Sequence, residues 1–157
     1  MIFLLFRIGL DRYAMEASRV VEVLPNVKLK AIPQALPGIA GVFNYHGRPV
    51  PVVDLSAMAL GQPAKASMST RLLVVHYSET KEGEGLPRLL GVIVEMATEI
   101  GRYKEEDFED PGTAAAGASY LGPVVNDARG IVQWVRLGRL LSPEVRDIFW
   151  RKEEIAQ

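Results

Sequence analysis

The chain of 157 residues carries 18 basic and 19 acidic side chains, a net charge of −1, and no cysteine. The balanced charge leaves no basic footprint for nucleic acid, and the missing thiols exclude disulfides and thiolate metal sites while fitting a reducing compartment. The apolar opening Met1 to Phe6 ends at Arg7, well short of the about 20 apolar residues of a membrane-spanning helix and without the basic start of a signal peptide, so a cytoplasmic protein with no direct membrane insertion is expected.

In chain order, most apolar segments are short, β-rich in type and separated by Gly, Pro and Asp, the pattern of strands joined by turns. Phe3 to Ile8 reads as a strand, Gly9 to Arg12 as a turn, Tyr13 to Met15 and Val20 to Leu24 as two more strands, with one helical turn over Met15 to Arg19 between them. Pro33-Gln34-Ala35-Leu36-Pro37-Gly38 excludes regular structure, because its prolines remove donors and fix backbone angles. Ile39 to Asn44 and Pro51 to Leu55 form a hairpin with a tight polar tip at Tyr45 to Arg48, followed by a short helix from Ser56 to Leu60 with Gly61 as its C-cap. Gln62 to Ser69 reads as a surface loop.

Arg71 to Tyr77 and Leu89 to Met96 are the most strongly apolar strands, joined by a charged loop over Ser78 to Arg88. Asp110 to Ser119 is low in complexity, and Gly130 to Leu137 supplies a late strand. A terminal helix is expected over Ser142 to Ile155: Ser142 caps it, Pro143 suits its first position, and Glu144 favours the positive end of the dipole. Val145, Ile148 and Phe149 give it an apolar stripe. About nine short strands with one terminal helix predict an all-β fold of barrels, since no parallel pair has the helical crossover of a βαβ unit. No internal repeat and no linker divides the chain, so residues 1–157 read as a single domain.

The candidate chemistry is sparse. A hydrolase needs a nucleophile, a base and an orienting group; Asp54 is available to orient His46 or His76, but no Gly-x-Ser-x-Gly elbow occurs, and Asp54 equally reads as the cap of the Ser56 helix. Two histidines 30 residues apart, without paired carboxylates, do not make a metal site, and the acidic run Glu105 to Asp110 lacks the alternating ligands and central glycine of a calcium loop. Gly38, Gly41 and Gly47 form no phosphate-binding motif. No enzyme activity, cofactor or metal is expected.

One pattern exceeds what composition supplies. Phe6-x-Ile8-Gly9 leads to Tyr13-Ala14-Met15 and Val20-x-Glu22-Val23; after Pro33 comes Gly41-Val42-Phe43-Asn44-x2-Gly47-x2-Val50-Pro51-Val52-Val53-Asp54-Leu55. This resembles the CheW-like family of chemotaxis coupling proteins, whose pattern runs Gly-Val-x-Asn-Leu-Arg-Gly into Val-Pro-Val-x-Asp-Leu. Leu90 to Glu95 and Val135 to Leu141 resemble later strands of the same family, so the likeness spans nearly the whole chain in order.

The resemblance implies two five-stranded SH3-like β-barrel subdomains around a shared hydrophobic core, and an adaptor between two partners: the regulatory domain of a CheA-type histidine kinase and the helical cytoplasmic tip of a methyl-accepting chemoreceptor. Matched position by position, it places Val20, Glu22, Asn44, His46, Arg71 and Ile100 in the receptor groove, with Gly41, Gly47, Pro51 and Asp54 as structural turn residues. Residue by residue, plainer readings stand beside these: Val20 and Ile100 as core, Glu22 as a solvated strand charge, Asn44 as a turn residue bonding its own backbone.

Two positions depart from the pattern. Tyr45-His46 replaces Leu-Arg, and Arg71 stands where an apolar residue is usual. Arginine offers five donors and a permanent charge, whereas histidine offers at most two donors. Both departures point to a receptor of altered tip sequence, in a chemosensory pathway other than flagellar motility. The alternatives are an SH3-like ligand- or peptide-binding module unrelated to chemotaxis, a small β-barrel enzyme using Asp54 with His46 or His76, and a fragment of the kinase or of a coupling–receiver fusion, which the extent of the chain disfavours.

Overall fold

The computed structural model describes residues 1–25, 27–33, 35–78, 88–112 and 118–155, with side chains through residue 150. Among the described residues there are nine strands: β1 (Ile2–Ile8), β2 (Asp11–Glu16), β3 (Val20–Leu24), β4 (Ile39–Tyr45), β5 (Arg48–Asp54), β6 (Arg71–Ser78), β7 (Arg88–Arg102), β8 (Leu121–Asp127) and β9 (Gly130–Val135). Two α-helices, α1 (Leu55–Leu60) and α2 (Pro143–Ile155), join them, with single 3-10 turns at Ala17–Arg19, Glu105–Asp107 and Leu137–Arg139.

The strands form two five-stranded groups that share β7. In one the order is β3-β6-β7-β5-β4, in the other β7-β1-β2-β9-β8. Two pairings are parallel, β2 with β9 and β5 with β7, which local alternation does not reveal. Among the described residues no ladder joins β3 to β4, so the first group curls without closing.

β7 connects the groups by changing partners partway along. Its first half pairs with β6 as far as Val94 opposite Arg71; from Glu95 onward it pairs with β1. Met96, at the crossover, takes a left-handed φ of 54°, a conformation unusual for a residue with a Cβ and expected where a strand bulges and turns. The strand therefore continues to Arg102, beyond the Met96 end expected from the apolar run. Thr98, Glu99 and Ile100 are exposed, so hydrophobicity stops before the ladder does.

Alternation along each strand divides the core. In β1, Phe3 and Leu5 face a cluster with Ala14, Val125, Val132 and Trp134, whereas Phe6 and Ile8 face the cluster between the two groups. In β6, Leu72 and Val74 face Phe43, Val50, Val52 and Leu89, whereas Leu73, Val75 and Tyr77 join the same shared cluster. Burial on both faces is why these strands read as unbroken apolar runs rather than as alternating ones.

β8 escapes sequence reading because Gly122, Pro123, Asn126 and Asp127 interrupt its pattern. It lies at the end of the strand order, where a proline is tolerated because no partner needs its missing N–H. In α2, Ser142 Oγ accepts from the Val145 N–H at 3.3 Å, and Val145 and Trp150 are buried, with Phe149 packed beside them. Ile148 is instead 64% exposed. At 100° per residue the arc through Val145, Phe149 and Trp150 leaves Ile148 on the far side of Val145, so the expected stripe is shifted. The loop expected between Ser78 and Arg88 falls largely outside the described residues (79–87), as do the middle of the Asp110 to Ser119 segment (113–117), Asn26 and Gln34.

Candidate functional site

The β4–β5 hairpin closes through a two-residue loop, His46-Gly47, between the paired Tyr45 and Arg48. Both loop residues have positive φ, 51° and 83°, the type I′ geometry that matches strand twist. Gly47 takes this conformation without cost, and His46 is among the side chains that tolerate it. Asn44 Oδ1 accepts from the Gly47 N–H at 2.7 Å, so the turn reading of Asn44 holds. The closing pair is hydrogen-bonded in such a hairpin, so alternation puts Pro49 and Pro51 at non-hydrogen-bonded positions facing Asn44 and Val42. Pro51 is thus a mid-strand residue and not, as expected, a turn residue. Parallel pairing of β5 with β7 begins only past it, at Val52.

Gly41 is likewise in a strand. It sits in β4 at a register shift with φ of 149°, and a Cβ there would lie 2.5 Å from the Lys30 carbonyl oxygen. The requirement is close approach of the 30–42 bridge, not a turn. Asp54 ends β5: its Oδ1 accepts from the Ala57 N–H at 3.1 Å and its Oδ2 from the Ala64 N–H at 2.9 Å. With both oxygens engaged and the residue buried, it caps α1 and orients neither histidine. His46 lies at the opposite end of the hairpin, roughly 20 Å away along β5. Among the described residues no three His, Asp or Glu side chains converge as a metal site requires.

Glu22, Asn44 and His46 are brought together. They line an open depression of about 450 Å³ at the gap between β3 and β4, together with Tyr45, the cationic Lys28 and the apolar Leu24, Val27 and Phe43. Among the described residues a side-chain bond spans the gap: the Tyr45 hydroxyl donates to Glu22 Oε1 at 2.9 Å. That acceptor pushes the Tyr45 phenol up from its usual value. The Tyr45 ring packs against Phe43 at 5.9 Å and meets His46 edge-on at 4.5 Å. Sequence reading missed Tyr45, Leu24, Val27 and Phe43 as site residues. The signal for Tyr45 was its place in a pair that departs from the family pattern.

Val20 does not line this depression. Spacing of two predicts that Val20 and Glu22 share a face, but the ladder to β6 shifts register between them, from Val20 opposite Val75 to Glu22 opposite Val74. The bulge turns Val20 to the shared core, where it packs partly buried with Leu4. Ile100 pairs with Leu4 across β1 and β7 and is 69% exposed, so it is not core. Ile2, Leu4 and Ile100 make a short apolar strip on that ladder. Arg71 joins neither group: its guanidinium folds back onto the Met68 and Thr70 carbonyl oxygens beside its own strand. β3 is an end strand of its sheet, so a partner lying along its free edge reaches both faces, Glu22 on one and Val20 on the other.

The CheW-like domain model matches residues 3–145. A chemotaxis protein CheW from Helicobacter pylori (strain ATCC 700392 / 26695) is 25% identical over 107 residues, 68% of this chain and 60% of that protein. The chain thus spans less than two thirds of the relative's length. The crystal structure of scaffolding protein TtCheW from Thermoanaerobacter tengcongensis shares the fold, with a TM-score of 0.75, 21% identity, and coverage of 90% of this chain and 87% of that one. Among the described residues no helix is long and apolar enough to cross a membrane. Matched over nearly all its length and carrying the same arrangement of strands, the chain belongs to the CheW-like domain family, a family of non-catalytic scaffold and adaptor proteins.

Proposed function

We propose that this protein is a cytoplasmic adaptor that couples the tip of a methyl-accepting chemoreceptor to a CheA-type histidine kinase. The observation that carries the reading is the free edge of β3. It presents Glu22, near Asn44 and His46, on one face and the partly buried Val20 on the other. Apolar ground flanked by polar groups along an accessible edge suits a helix laid into a groove. Membership in a scaffold family and the similarity to a chemotaxis protein of Helicobacter pylori support the same reading. A pull-down of the purified chain against the kinase and the receptor tip encoded beside it tests the proposal: both are retained, and retention of neither overturns it.

The Tyr45-His46 pair supports the narrower proposal of a pathway other than flagellar motility. His46→Arg is expected to raise affinity for the tip of a flagellar chemotaxis receptor. Equal binding of that tip and the chain's own receptor by the natural protein, with no effect of His46→Arg, overturns it.

A further inference from the structure

Among the described residues no backbone ladder joins β3 to β4; the segment after β3 meets β4 at the Lys30–Val42 bridge, with backbone bonds of 2.8 and 2.9 Å, and beside β3 itself the gap is crossed by side chains. Among the described residues the bond from Tyr45 to Glu22 is the side-chain hydrogen bond that crosses the gap at this depression. A leucine at position 45, as the family pattern has it, would cover the same apolar floor beside Phe43 but would have no donor to offer. Tyrosine adds a hydroxyl that fixes one carboxylate oxygen of Glu22 and leaves the other able to accept from a partner. Its ring is itself held, packed on Phe43 and met edge-on by His46. The left-handed backbone at His46 sets where that histidine ring sits.

We propose that Tyr45 is a specificity-determining positioning residue, holding the Glu22 carboxylate across the open seam so that the depression is a preformed seat for a helix carrying an apolar side chain and, beside it, a basic one. The apolar side chain enters over Leu24, Val27 and Phe43, and the basic group donates to the free oxygen of Glu22. A carboxylate already oriented loses less side-chain freedom when the partner arrives, so the bond acts on affinity rather than on folding. The inference rests on the coupling reading above and names the receptor chemistry that this seam selects.

Titration calorimetry of the full chain against the receptor tip encoded beside it tests this, using Tyr45→Phe, Tyr45→Leu, Glu22→Gln and the Glu22→Gln/Tyr45→Phe double variant, each checked for an unchanged melting transition. Tyr45→Phe and Tyr45→Leu are each expected to weaken binding about five- to tenfold, the loss of one hydrogen bond to a charged group. The double variant is expected to bind no worse than Glu22→Gln alone, because Tyr45 acts through Glu22. Natural-level binding by a folded Tyr45→Phe, or losses that multiply in the double variant, overturns the role of Tyr45 while leaving the coupling reading intact. Failure of the natural protein to bind any receptor tip overturns the coupling reading, and this inference with it.

Discussion

The two strand groups that share β7 are held together by different means. The group of β1, β2, β8 and β9 is locked by aromatic packing and by ions. Phe3, Tyr103, Phe108 and Trp134 contact one another at centroid distances of 5.0 to 5.9 Å. Beside them Arg12 donates to both oxygens of Asp127, at 2.7 and 2.9 Å, while the Tyr103 hydroxyl and the Arg129 N–H donate to the same carboxylate at 2.8 Å. The Arg12 guanidinium holds the Asp127 carboxyl well below the usual carboxylate range. The group of β3 to β6 has a mainly aliphatic core around Phe43 and a seam crossed by a half-buried tyrosine–glutamate bond. The aromatic and ionic contacts are concentrated in the group of β1, β2, β8 and β9, whereas Glu22, Asn44 and His46 lie together at the gap in the other.

The comparison is broken if substitutions in the locked group leave stability unchanged. The largest effect is expected for Trp134→Ala, which removes a buried ring packed on Phe3 and Phe108 and costs about 3–5 kcal/mol in chemical denaturation. Asp127→Asn removes the charge that Arg12 and Tyr103 address and costs about 1–2 kcal/mol at neutral pH. Because the folded carboxyl titrates below its unfolded value of about 4, its contribution is present above that pH and is lost as pH falls further. The difference in melting temperature between Asp127→Asn and the natural protein is therefore expected to be full at pH 7 and to shrink below about pH 4. A gap that stays constant into acid shows that charge is not what Asp127 contributes.

On the open side, smaller losses are expected. His46→Val places a β-branched residue at positive φ and costs about 1–2 kcal/mol, while His46→Gly leaves the hairpin at least as stable; thermal melts of the two variants give the order. Tyr45→Phe is expected to change stability by less than about 1 kcal/mol, its consequence falling on binding instead. A Tyr45→Phe melt as damaging as that of Trp134→Ala would show that the seam is part of the locked core.

Much of the fold was legible because its strands are short, apolar and clearly punctuated. The hairpin tip at Tyr45 to Arg48, the Asp54 cap and the Gly61 C-cap follow from local rules, and the structure shows them: Gly61 takes φ 75° and donates to the Ala57 carbonyl. The site was legible in part. Glu22, Asn44 and His46 meet as the resemblance implied, whereas Val20 is turned away by a bulge and Arg71 is bound to its own neighbourhood. A register shift at Val21 leaves no mark in composition or periodicity, because either face of an edge strand accepts a valine.

Sequence alone determined the class of fold, the hairpin tip, the helix caps and the family. Those depend on neighbours within a few residues or on a motif read in order. Tertiary structure alone decided that β7 is shared, that β2 and β9 and then β5 and β7 run parallel, and that the gap between β3 and β4 is spanned by Tyr45 and Glu22. These are contacts between segments far apart in the chain, selected by which faces can be buried together. No local pattern encodes the distance between two strand edges that never pair.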